Sequence, residues 1–109
     1  MMKQRSEPLP ERETSASFKA LAKALAALER PEDVAAFLED LCTPAELEAM
    51  ADRWRVVPLL LQDIPYREIH ERTQVSVTTI GRVARTLERG AGGYAAAARL
   101  QFPRLVASH

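Results

Sequence analysis

Apolar residues recur three and four positions apart along most of this chain, and no stretch alternates with period two for long enough to make a sheet. The pattern predicts an all-α fold. From Thr14, the positions Phe18, Leu21, Leu25 and Leu28 share one helical stripe with alanines between them, which predicts a helix to about Glu29. Pro31 stops it and suits the first turn of a second helix, with Glu32 and Asp33 at the positive end of the dipole and Val34, Phe37, Leu38 and Leu41 inward. The clearest boundary follows. Thr43 caps, Pro44 takes the first helical position and Glu46 completes a capping box, opening a long helix with the stripe Leu47, Met50, Trp54, Val57 and Leu61. Pro58 lies inside that helix, where it removes a backbone donor and is expected to bend the axis at a cost of up to ~3 kcal/mol.

After Ile64 and Pro65 the spacing gives a short helix, a tight turn and a second helix to about Arg89. Gly90, Gly92 and Gly93 then break the chain before an alanine-rich helix from Tyr94 to about Leu100, with Phe102, Leu105 and Val106 beyond it unassigned. Residues 1–13 are polar, proline-bearing and mixed in charge, and read as a flexible arm. Residues 14–109 read as one domain of about six helices.

The chain has 109 residues, and so many apolar helices in so short a length predict a core shared between two copies, hence a homodimer. Its net charge is zero, which by itself speaks against a nucleic-acid partner. The average hides a split. Residues 1–52 hold 6 Lys and Arg against 11 Asp and Glu, whereas residues 53–109 hold 9 against 4, so the second half can face an anion. The alternative is that the acidic half merely has solvated helix faces. Cys42 is the one cysteine, which excludes an internal disulfide or a CxxC pair, and the two histidines, His70 and His109, make no metal set with it. The start, MMKQRSEPLPERE, has no apolar run after its basic residues, so neither a secretory signal nor a membrane span is expected, and the cytoplasm is the expected location. No serine elbow, glycine-rich phosphate loop or converging carboxylates point to an enzyme. No catalytic residue, metal or cofactor is therefore expected.

The string YREIHERTQVSVTTIGRV, within a helix-turn-helix of about residues 66–87, has the spacing that lays a second helix in a major groove of DNA. Ile69, Ile80 and Val83 fix the angle between its helices and Val75 fills the turn. Ser76 caps the second helix, and Val77, Thr78 and Thr79 form its exposed first turn, where base edges come within reach. Arg67, Arg82 and Arg85 supply charge, and His70 faces the DNA backbone or solvent. The turn position that usually carries glycine holds Gln74, which must bear roughly 1 kcal/mol of left-handed strain or reshape the turn. Two other readings stay open: an ordinary amphipathic helical hairpin, and a helical adaptor that binds protein without DNA.

The segment LCTPAELEAMADRWRVVPLLLQDIPYREIHERTQVSVTTIGRVARTLERGAGGY resembles the tryptophan repressor family, in its tryptophan-repressor-like branch. The marks are LxTPxExEAM, the Arg53-Trp54-Arg55 triplet, YREI, and TIxRVxRxL followed by glycines and Tyr94. The resemblance implies an intertwined homodimer with two reading heads on an operator in double-stranded DNA, and repression of biosynthetic genes. It also implies that Thr43, Arg53, Arg82 and Thr86 occupy the positions that surround a bound amino acid in that family, an arrangement suited to a carboxylate. Val83 stands where the family's repressor has glycine and should fill part of the space for an indole ring. Three readings remain: another amino-acid-like co-repressor, no ligand, or a shifted tryptophan.

Overall fold

The computed structural model describes residues 10–109, which are helical with no strand among them. The chain divides after Leu41 into two compact units, where the sequence reading takes residues 14–109 as one domain. The first unit holds α1 (Glu11–Ala27) and α2 (Pro31–Leu41). Helix α1 starts three residues earlier than the stripe suggests, because Glu11 and Glu13 suit its positive end, so residues 11–13 are helix and not arm. The remainder of the expected arm, residues 1–9, lies outside the described residues. Arg30 Nε donates to Asp33 Oδ2 at 3.1 Å across the turn into α2. Neither helix has a fully buried residue.

The second unit runs α3 (Pro44–Leu61), α4 (Tyr66–Thr73), α5 (Val77–Arg89), α6 (Gly93–Gln101) and α7 (Pro103–Ser108). The described residues thus hold seven helices against an expected six, because Pro103 takes the first position of a further helix after Phe102 leaves helical geometry. The capping box at the head of α3 is formed: the Glu46 amide donates to Thr43 Oγ1 at 3.2 Å and the Thr43 amide to Glu46 Oε1 at 2.7 Å. Helix α3 runs through Pro58 without a break.

Val56, Val57, Ile69 and Ile80 are completely buried, and Val83, Val75, Leu61 and Ala98 join them in one core. Val56 lies off the expected stripe, because α3 packs against α4, α5, α6 and α7 together and so buries more than one face. Met50, placed on the stripe, is 39% exposed. The Trp54 ring stacks on Phe102 and Tyr94, with centroids 5.7 and 6.3 Å away, which anchors the segment the sequence left unassigned. Gly90 ends α5 where a Cβ would stand 2.5 Å from the Thr86 carbonyl oxygen, so only glycine fits that close approach. No described helix is long and apolar enough to cross a membrane.

Candidate nucleic-acid interface

Helices α4 and α5 meet through a turn of Gln74, Val75 and Ser76. Gln74 adopts the left-handed conformation at φ 64° and ψ 11°, so the usual turn shape is kept and its side chain bears the strain of about 1 kcal/mol. Partial compensation is local. The Gln74 amide donates to His70 O at 2.7 Å, and its side-chain Nε2 donates to Glu71 O at 3.1 Å. Thr73, which sequence reasoning passed over, is the one buried polar residue of the described chain. Its hydroxyl donates to Ile69 O at 2.7 Å and accepts from the Val75 amide at 3.1 Å, tying the turn to the preceding helix. Thr73→Val keeps the shape and leaves the Val75 amide unpaired in a buried setting, so it should cost about 1–2 kcal/mol in urea unfolding. An unchanged midpoint would show that the turn does not need the hydroxyl.

Ser76 caps α5 as expected, its Oγ accepting from the Thr79 amide at 3.1 Å and lying 3.0 Å from Thr79 Oγ1. Thr79 is therefore half-buried in the cap, while Val77 and Thr78 stay exposed on the first turn. A Cβ on Gly81 would meet Tyr66 Cε2 at 3.8 Å and Arg85 Nη1 at 3.7 Å, so the head of α4 and the Arg85 side chain both lie against this point of α5.

Salt bridges sort the arginines. Arg72 pairs with Glu68 one turn away, Arg55 with Asp52 at 3.6 Å, and Arg89 with Glu88 at 4.0 Å. Among the described residues Arg67, Arg82 and Arg85 have no ion-pair partner, and all three are exposed. Arg12, Arg53, Arg99 and Arg104 are likewise without an ion-pair partner among those residues, so within the helix-turn-helix the unpaired arginines are Arg67 on α4 and Arg82 and Arg85 on α5. His70 does something else: its Nδ1 stands 2.7 Å from Val75 O, inside the turn.

The residues expected around an effector are more scattered in role. Thr43 holds the capping box, Arg53 is half-buried, and Arg82 and Thr86 are exposed. Val83 is 1% exposed and belongs to the core with Val56, Val57 and Ile80. A cavity of about 630 Å³ is lined by Leu60, Ile64, Tyr66, Leu87 and neighbours, and another by Leu61, Ala95, Ala98 and Val106 among others; none of the five expected residues lines either of them.

Comparison with known proteins agrees with this geometry. Over 63 residues the chain is 36% identical to YerC of Bacillus subtilis (strain 168), a protein described as uncharacterized, and the match covers 58% of this chain and 61% of YerC. A crystal structure of a presumed Trp repressor from Staphylococcus aureus superposes with a TM-score of 0.74 at 28% identity, covering 85% of this chain and 95% of that one. The family described as Trp repressor protein matches residues 16–101. The chain, with its all-α fold and its helix-turn-helix, belongs to the Trp repressor family of DNA-binding regulators.

Proposed function

We propose that the chain is a sequence-specific transcriptional repressor that binds its operator as an intertwined homodimer. The observation that carries this reading is the helix-turn-helix itself: a capped α5 with Val77 and Thr78 exposed on its first turn, and with Arg67 on α4 and Arg82 and Arg85 on α5 exposed and unpaired among the described residues. The second helix enters the major groove, Val77 and Thr78 meet base edges, Arg67 reads a guanine, and Arg82 and Arg85 hold phosphates. Shared burial favours the dimer. Phe18 is 69% and Leu100 83% exposed, and the stripe Leu21, Leu25, Leu28, Val34, Phe37 and Leu38 is nowhere fully buried within one chain. The regulated genes are biosynthetic and the protein works in the cytoplasm, on the nucleoid. Tryptophan is not the effector, since Val83 fills core space; an amino-acid-like co-repressor held by Arg53 and Arg82 is the form that control takes.

Salt tests the assignment. Two phosphate-binding arginines per copy make four per dimer, so log affinity should fall against log salt with a slope of about −4 for a sample that sediments as a dimer. Affinity should then drop roughly a hundredfold between low and physiological salt. A flat dependence would favour a protein-binding adaptor, and a folded monomer at micromolar concentration would remove the shared core. Genomic footprinting of the tagged protein would show whether its sites lie at biosynthetic genes.

A further inference from the structure

We infer that His70 is a positioning residue: its Nδ1 clamps the helix-turn-helix, and its effect on DNA binding runs through the turn. Val75 is where the chain reverses from α4 into α5, and neither of its backbone groups has a main-chain partner among the described residues. Both are held by side chains of α4. The Val75 amide donates to Thr73 Oγ1 at 3.1 Å, and the Val75 carbonyl lies 2.7 Å from His70 Nδ1. A carbonyl only accepts, so Nδ1 carries the hydrogen, and in the neutral ring Nε2 is left as the acceptor. Both the neutral ring in this tautomer and the protonated ring donate from Nδ1, so the clamp works in either state.

The arrangement meets a specific need. Left-handed Gln74 aims the chain out of α4, and the Val75 side chain, 5% exposed, is driven into the core directly afterwards. Ser76 follows at once as the cap of α5. Any rotation of the Val75 peptide therefore swings the first turn of α5, which carries Val77 and Thr78. Thr73 and His70 fix that peptide at its two ends and so set the angle at which the turn meets a groove. In this position the histidine spends its Nδ1 hydrogen bond on its own backbone while the residue stays exposed, so preorganisation is added to the solvent-facing position expected from the sequence.

The consequence for DNA rests on the functional reading above, whereas the clamp does not, and two measurements keep them apart. In mildly alkaline buffer, nitrogen NMR of the DNA-free protein should show His70 protonated at Nδ1, with the Val75 amide protected from exchange. A ring protonated at Nε2 with bare Nδ1 would overturn the clamp. The second measurement titrates a duplex selected from a random-sequence pool by the unmodified protein. Asparagine places its amide nitrogen where Nδ1 lies and glutamine places its own where Nε2 lies, so His70→Asn should bind within about twofold of the parent, while His70→Gln and His70→Ala should bind about three- to tenfold more weakly, the worth of one net hydrogen bond. The salt slope should be unchanged in all three. Rescue by glutamine but not asparagine, or a slope reduced by about one, would make His70 a DNA contact. If the parent protein selects no duplex, the functional reading falls and the NMR result still decides the clamp.

Discussion

Val83→Gly is expected to lower stability by about 2.5–4 kcal/mol and to admit tryptophan to a protein that otherwise ignores it. The cost has two parts. Val83 is 1% exposed, so deleting its side chain forfeits burial of about 1.5–3 kcal/mol together with the cavity left behind. A glycine in the middle of α5 costs about 1 kcal/mol more against the helix. On the proposed reading, the vacancy opens at one of the positions that the resemblance implies for an amino-acid ligand. In the unmodified protein, operator affinity should be the same with and without tryptophan; in the variant, tryptophan should raise both the unfolding midpoint and the operator affinity. Only unequal affinity for two states can shift either one. Val83→Ala is the milder companion if the glycine variant does not fold. A clear tryptophan response in the unmodified protein would refute occlusion by Val83.

Arg67→Ala should collapse discrimination at one base pair in each half-site. Arg67 is exposed at the head of α4 and has no ion-pair partner among the described residues, so no described carboxylate competes for its guanidinium. A two-pronged contact to guanine is worth about 1–3 kcal/mol against the wrong base, or up to about a hundredfold. Titration against the operator and its four variants at that position should show the preference disappear while the ranking elsewhere is kept. Uniform weakening of every duplex, with the salt slope reduced by about one, would reassign Arg67 to a phosphate.

The helix-turn-helix was legible in the sequence because its determinants are local. Ile69, Val75, Ile80 and Val83 are spaced to face one another, and all four are buried. Ser76 caps by bonding three residues ahead, which spacing alone reveals. What escaped depends on atoms brought together by the turn. The pairing of Thr73 and His70 with Val75 requires the left-handed residue between them, and a residue list carries no sign of where a ring nitrogen points. Val56 was missed for a different reason: a stripe describes one buried face, and a helix surrounded by four neighbours has more. Helix α7 depends on Phe102 stacking against Trp54, a contact between residues far apart in sequence. The effector set is legible by resemblance only, and its members line neither of the cavities described above.

The pairing of Arg72 with Glu68 and of Arg89 with Glu88 bears on how an operator is found in a genome. Attraction to arbitrary DNA grows with every phosphate a protein neutralises, and the competing sites in a chromosome number in the millions. On the proposed reading, each acid that occupies an arginine on α4 or α5 should lower the residence time on those competitors and leave the contacts proposed for Val77, Thr78 and Arg67 in place. Sliding on unrelated sequence should then, on the same reading, take up less of the population. Occupancy of a true site should be set by base contacts, and a modest number of copies per cell should suffice to fill it.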